Sequence, residues 1–279
     1  MIIHCWGSRG SIPVSGKQYL RYGGNTTCIE IRTNDNKILI VDAGSGIREA
    51  GNNLIAAGYR DVTLLLTHAH WDHIMGFPFF KPIYSRETNL NIWGCPFARD
   101  SIKEMLSRIM TAPHFPVNFD SIRANISYQD TCVEHYTLGS MVITPIPLSH
   151  PNQGTGYKFE EDGKCFVFLT DNELSYKHEG GLDFQKYLEF SSGADLLIHD
   201  AEYKEDEYIK TRGWGHSCYT DTLNLAMHAG VKNLGLFHHN QERFDDEVDA
   251  IVKSCHKIIK KSGKKLECCA VSQSMEFNL

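Results

Sequence analysis

The stretch Thr67-His68-Ala69-His70-Trp71-Asp72-His73 places three imidazoles and one carboxylate within six positions. It follows the apolar run Val62-Thr63-Leu64-Leu65-Leu66. A buried strand is therefore expected to end here and to deliver polar groups to a sheet edge. Imidazole nitrogen and carboxylate oxygen are donors for Zn²⁺, Mn²⁺ or Fe. A plain strand edge needs no such cluster, because Ser, Thr or Asn would serve at a smaller desolvation cost. The segment constrains the chain to a fold that gathers strand ends around metal.

Bulk properties narrow this further. The 279 residues allow one large α/β domain or two small ones. A net charge of −6 does not favour a nucleic-acid or anionic-membrane surface. The basic run over 257–265 reads as the solvated end of an amphipathic helix, where Lys suits the helix dipole. Nine cysteines are scattered without Cys-x-x-Cys pairs. Most read as small core residues of a reduced, cytoplasmic protein. No apolar stretch approaches the roughly 20 residues of a membrane span.

Taken in order, residues 2–6 read as a strand entering the turn-rich Gly7-Ser8-Arg9-Gly10-Ser11-Ile12-Pro13. Arg9 suits a substrate anion through a charge-assisted fork. Strands are expected over 28–33 and 37–41, joined by a hairpin at Asn34-Asp35-Asn36 and ending at Asp42. A helix follows over 47–57, then the strand that carries the histidines. Residues 77–135 read as a partly irregular insertion, with a strand over 89–93 and a helix over 99–110. Its aromatics, with Trp71, offer a wall of Trp71, Phe77, Phe79, Phe80 and Phe115 that suits a planar ring.

Five apolar runs end in polar groups: Thr67 before the histidines, then His150, Asp171, Asp200 and His238. Sites in layered α/β proteins gather outside strand ends. One strand-end histidine is ordinarily a surface group. Five such ends after a metal-demanding motif point to convergence on one site. Ser217 is placed to cap a helix from about 218 to 228, and a long helix is expected over 246–261 with Gly263 as its stop.

The His-x-His-x-Asp-His motif resembles the signature of the metallo-β-lactamase superfamily, and the resemblance extends from residue 3 to about 270. It implies a single α/β domain over 1–279, built as a four-layer αββα sandwich. It also implies two divalent ions, with Zn the default and Mn or Fe alternatives. His68, His70 and His150 match the ligands of one metal. Asp72, His73 and His238 match those of the other, and Asp171 the bridge between them. His238 and His239 compete for one role; His238 is preferred because it occupies the strand-end slot. Asp42 matches an aspartate beneath the site that orients ligand groups. Retention of Asp171, where many zinc β-lactamases carry Cys, and of His70, where diiron flavoproteins carry Glu, points to the hydrolytic branch.

Gly215-His216-Ser217 resembles the His-Ser-Thr element of the tRNA-processing nucleases and related phosphodiesterases. His199-Asp200-Ala201 resembles their His-Glu-Ala-Thr element, with Asp for Glu. The resemblance implies that His216, oriented by Asp200, contacts the phosphate and protonates the leaving oxygen. Asp72 would orient a hydroxide generated between two cations. The expected substrate is a small phosphodiester, with a cyclic nucleotide first. The basic arm of the tRNA-processing enzymes has no counterpart here, which disfavours a polymeric RNA partner. Homodimers are common in such families. The alternatives are hydrolysis of a lactone, thioester or β-lactam, a non-enzymatic metal-binding module, and a structural protein with a relict site.

Overall fold

A computed structural model describes residues 1–95, 101–129 and 131–279. The first sheet begins with β1 (Ile2–Gly7), β2 (Cys28–Arg32) and β3 (Ile38–Val41). Helix α1 (Ile47–Ala56) then leads to β4 (Asp61–Leu65), and the short α2 (Trp71–Ile74) leads on to β5 (Asn89–Trp93). Helix α3 (Ile102–Ile109) precedes β6 (Asn125–Gln129). The second sheet comprises β7 (Tyr136–Leu138), β8 (Met141–Pro147), β9 (Thr155–Glu161) and β10 (Lys164–Leu169), followed by α4 (Phe184–Phe190) and β11 (Leu196–Asp200). Then come α5 (Glu205–Thr211), α6 (Tyr219–Ala229), β12 (Asn233–Phe237), α7 (Asp245–Ser262) and β13 (Glu267–Ala270). The last strand, β14 (Glu276–Asn278), returns to pair with β1.

Among the described residues each sheet has seven strands, ordered β14-β1-β2-β3-β4-β5-β6 and β13-β12-β11-β10-β9-β8-β7. Strands β3 to β6 run parallel, as do β10 to β13. Their connecting helices cover the outer faces, so the inner strands β3, β4, β10, β11 and β12 read as largely apolar runs. The layer between the sheets is apolar: Ile29, Leu39, Val41, Tyr157, Phe166, Phe168, Ile198 and Phe237 are fully buried there. A second cluster packs α1 and α3 on the first sheet, and a third packs α4, α6 and α7 on the other. The result is an αββα sandwich.

Local chemistry explains the joints. The β9–β10 hairpin turns on Asp162 (φ 50°) and Gly163 (φ 74°), two left-handed residues that match strand twist. Helix α7 stops at Gly263 in the left-handed region. The described residues between 77 and 135 form more regular structure than their sequence implies: β5 and β6 extend the first sheet in parallel register. Asn-Ile-Ser-Tyr-Gln carries too few apolar residues to announce β6, which lies at the sheet's edge and is half exposed. The described part of the expected helix over 99–110 is α3, which begins after Ser101; Arg99 and Asp100 lie outside the described residues. Cys95 and Cys132, just beyond the ends of β5 and β6, form a disulfide that the reading of the cysteines did not foresee. Cys5, Cys28, Cys218, Cys255 and Cys268 are buried thiols, as expected.

Ser217 does not cap α6. Its hydroxyl donates to the Asn172 carbonyl and accepts from the Leu174 N–H, tying the loop after β10 to the segment before the helix.

Candidate metal centre

Strand β3 ends at Asp42, whose carboxylate accepts from the Thr67 N–H at 2.8 Å and the Thr67 hydroxyl at 2.7 Å. The same group lies 2.7 Å from His73 Nδ1. The buried carboxylate therefore fixes the loop after β4 and turns Nε2 of His73 toward the centre. Burial raises the Asp42 pKa, against the pull of His73 and Thr67.

Two groups of donors meet here. His68, His70, His150 and Asp171 form one, and Asp72, His73, Asp171 and His238 the other. Within each group the donor atoms lie within 4.8 Å of one another, and Asp171 belongs to both. His150 Nε2 lies 2.9 Å from His70 Nδ1, and His68 Nε2 lies 3.5 Å from Asp171 Oδ2. On the other side, His73 Nε2 is 3.2 Å from Asp171 Oδ1, and His238 Nε2 is 3.2 Å from Asp72 Oδ2.

Three buried atoms, His68 Nε2, His73 Nε2 and Asp171 Oδ2, have no hydrogen-bond partner. Such orphans are costly in a folded protein unless something else satisfies them. All three point into the same cluster, and a cation would satisfy all three. Burial, then the neighbouring His73, holds His68 well below the ordinary imidazole range, and burial lowers His150 to about 3. Both rings are therefore neutral, the state that binds metal. Burial opposes charge on His73 and His238 too, but Asp171 and its neighbouring carboxylates outweigh it and raise both. Positive charge is favoured at this point, and a cation supplies it as well as protons do.

Two glycines make room. A Cβ on Gly10 would lie 2.3 Å from the His238 ring, and one on Gly215 would lie 2.1 Å from His150 Nδ1. Gly10 is followed by Ser11, whose N–H donates to Asp72 Oδ2 at 2.9 Å.

Residues 37–239 match the family described as the beta-lactamase superfamily domain. The chain belongs to that superfamily. It is similar to a ribonuclease Z of Haloarcula marismortui, 24% identical over 276 residues that cover 83% of this chain and 84% of the relative. The fold is similar to that of the metallo-beta-lactamase fold protein YhfI from Bacillus subtilis, with TM-score 0.72 and 19% identity over 99% of this chain and 98% of that one. It is also similar to the short form of human tRNase Z, with TM-score 0.65 and 17% identity over 100% and 99% of the two chains.

Beside the donors of this superfamily member stands a third group, Asp200, His216 and His238. His216 Nδ1 lies 2.7 Å from Asp200 Oδ2, and its ring stacks on His238 at 4.6 Å between centroids. Burial works against charge on His216, yet Glu202 and Asp200 raise it to about 9. Nδ1 is thus committed to Asp200, which leaves Nε2 to carry a movable proton.

Sequence reasoning missed Glu202. Its Oε2 sits 2.9 Å from His238 Nδ1, and its Oε1 accepts from Asn240. The signal in the sequence was its place two residues beyond Asp200, on the same face of an extended segment. Glu173 was missed as well. Its buried carboxylate accepts from the N–H groups of Gly213 and Gly215 at 2.7 and 2.8 Å and from the Tyr208 hydroxyl at 2.6 Å, and it lies 2.8 Å from His178 Nε2. The Gly215 carbonyl in turn meets His150 Nδ1 at 2.9 Å.

His239 is outside the cluster: its Nε2 lies 2.9 Å from the Val271 carbonyl. Arg9 is a correction. Its side chain is fully buried and donates to the carbonyls of Gly23, Asn240 and Arg243. The guanidinium braces three loops and is sealed from any substrate anion. The aromatic wall also divides. Phe77 and Phe80 are fully buried in the core, whereas Trp71 and Phe79 are exposed, with Phe115 edge-on to Phe79.

Proposed function

We propose that this superfamily member is a phosphodiester hydrolase that works with two divalent ions. The observation that carries the reading is the shared carboxylate, Asp171, between two donor groups, with the His216–Asp200 pair at their side. His68, His70, His150 and Asp171 would hold one ion, and Asp72, His73, Asp171 and His238 the other. The donors are nitrogen and oxygen alone, a set that suits Zn²⁺ first and Mn²⁺ or Fe²⁺ next. Bound there, two ions lower the pKa of water toward neutrality and offset the charge of the phosphoryl oxygens.

The chain's own groups do the rest. Asp72, held by the Ser11 N–H, orients the attacking water and takes its proton. Asp42 keeps His73 in its tautomer, and Glu202 does the same for His238. His216 gives its Nε2 proton to the departing alkoxide while Asp200 stabilises the ring. Water adds to phosphorus and the ester oxygen leaves as an alcohol, so a diester becomes a monoester.

A small diester, with a cyclic nucleotide or related cyclic phosphate first, is the substrate this reading favours. Support comes from the net charge of −6, which works against a long polyanion. The similarity to ribonuclease Z supports a second reading, cleavage of an RNA phosphodiester at the same centre.

The test is hydrolysis of bis-p-nitrophenyl phosphate by metal-loaded protein, with metal content measured in parallel. Turnover should vanish with a chelator. His216→Ala should lower it by about 100-fold or more while two metals remain bound. Full metal content without turnover of any phosphodiester, cyclic nucleotides and RNA included, would overturn the reading. Equal loss of metal and turnover in His216→Ala would make His216 a ligand instead.

A further inference from the structure

Arg9 is the largest fully buried side chain among the described residues, and the two residues after it touch two donors of the second group. We infer that Arg9 is a positioning residue for that group, setting Asp72 and His238 for a cation before the cation arrives. The inference rests on the reading of the two donor groups as metal sites. It adds to that reading a residue that meets no cation itself.

The guanidinium first makes one body of three loops. Nε and one terminal nitrogen donate to the Gly23 carbonyl at 3.3 and 3.0 Å. The other terminal nitrogen donates to the carbonyls of Asn240 and Arg243 at 3.2 and 2.9 Å. Three carbonyls aimed at one point repel one another, and burial removes the water that would screen them. A planar cation with donors in a fixed fork answers all three, which a compact ammonium does not. The Tyr19 ring covers the guanidinium, 5.0 Å from its carbon. The main chain repeats the same ties: the Arg9 N–H donates to the Asn25 carbonyl and the Gly10 N–H to the His239 carbonyl, each at 3.0 Å.

Two separate routes lead from this body to the donors. One runs through Ser11, which turns in the left-handed region at φ 62° and aims its N–H at Asp72 Oδ2, 2.9 Å away. The same oxygen lies 3.2 Å from His238 Nε2 and 3.3 Å from His73 Nε2. The direction of the Ser11 N–H therefore decides how Asp72 turns among its neighbours. The other route runs through Asn240. Its carbonyl holds Arg9, and its side-chain amide donates to Glu202 Oε1 at 2.8 Å. Glu202 Oε2 in turn lies 2.9 Å from His238 Nδ1. Gly10 sits between the routes, against the His238 ring. Neither route ends on His68, His70 or His150. Donors held this way lose little freedom when a cation binds, so the benefit falls on the second site alone.

Titration of the metal-free protein with Co²⁺, followed by its visible absorption, tests this without relying on turnover. Wild type should take up two ions. Arg9→Met removes the donors and keeps an apolar stem. It should weaken one ion by about 10–100-fold, the usual cost of losing support behind a ligand, and leave the other near its wild-type affinity. Arg9→Lys should recover part of the loss. In an Asp72→Asn background, Arg9→Met should cost the remaining ion little, because the route it acts through is already broken. Equal weakening of both ions would make Arg9 a general structural residue and overturn the inference, as would unchanged affinity for both. Circular dichroism reads whether the variants fold. If they do not, the wild type alone decides. In metal-free protein the Gly10, Ser11 and His239 amides should exchange slowly with solvent. Fast exchange that slows only when Co²⁺ is added would show that the cation builds the site, against the inference. A wild type that binds fewer than two ions would remove the two-metal reading itself, and the inference with it.

Discussion

Asp42, Asp171 and His238 each follow the last residue of a strand or stand one beyond it, and each has a positive φ, at 63°, 54° and 56°. Asp and His enter the left-handed region more readily than most residues, and β-branched side chains are excluded from it. The backbone turns sharply at each strand end and throws a short polar side chain inward. Position and charge can therefore be separated at Asp171. Asp171→Asn retains a residue that tolerates the conformation but removes the charge from both donor groups. It should leave the metal-free protein folded, as circular dichroism reads, with some stability lost because His73 and His238 lose a buried carboxylate partner, while elemental analysis shows at least one metal lost. Retention of both metals would end the assignment of Asp171 as their shared ligand. At this scale the sequence was informative where residue type decides the chemistry, as in His68-Ala69-His70-Trp71-Asp72-His73. It was uninformative where direction decides. Arg9 has the chemistry of an anion fork, and nothing in its neighbours shows that Gly23, Asn240 and Arg243 carbonyls consume it. Glu202 and Glu173 read as ordinary acidic residues until the fold brings their partners to them.

Between residues and the whole lie the segments that hold the site. Glu173, two residues past Asp171, anchors the loop before His216 through Gly213 and Gly215. Glu173→Ala should raise hydrogen exchange of those amides by at least tenfold. It should also lower diester turnover by roughly 10–100-fold, because small misplacements of a proton donor are costly. Glu173→Gln, which keeps one acceptor, should recover part of both. Unaltered exchange would remove Glu173 from this role. Strand β11 offers a pH test. Burial depresses the pKa of its His199 from 6.5 to about 4, and the ring is spent on Asn172 and the Asp200 carbonyl. Between those two values the unfolded chain binds a proton that the folded chain does not. This contribution is thus complete above pH 6.5 and fades as the pH falls toward 4. From pH 7 to 5 it amounts to about 2 kcal/mol. Urea unfolding at the two pH values should show His199→Gln losing less stability than wild type over that interval. An identical loss would place the acid sensitivity elsewhere. Strand periodicity made β2 to β4 and β10 to β12 legible because they are buried and apolar. Strand β6 escaped because an edge position makes no such demand on composition.

Across the whole molecule, the donors are divided between the halves of the sandwich. His68, His70, Asp72 and His73 follow β4 of the first sheet, whereas His150, Asp171 and His238 follow β8, β10 and β12 of the second. The sandwich was legible from the histidine motif because that resemblance specifies a whole architecture; the pairing of β14 with β1 was not, since three residues carry too little pattern. Metal binding to the folded chain alone should raise the unfolding temperature as free metal rises, by about 2.7 kcal/mol of stability at a hundred times the dissociation constant. Melting curves with and without a chelator measure this directly, and coincident curves would show that the cluster does not retain cations in the folded state. The oily layer between the sheets is permissive about sliding, since Ile, Leu and Phe contacts have no direction. Polar ties at this end run from Tyr157 Oη to the Leu66 carbonyl and from the Thr155 N–H to the Thr67 carbonyl. A slip of one residue along a strand, roughly 3.3 Å, would carry Asp171 out of reach of both donor sets at once. The centre is thus a registration pin for the two sheets, and wear anywhere in the interlayer would be felt there first, as misalignment of a mechanism whose own residues were untouched.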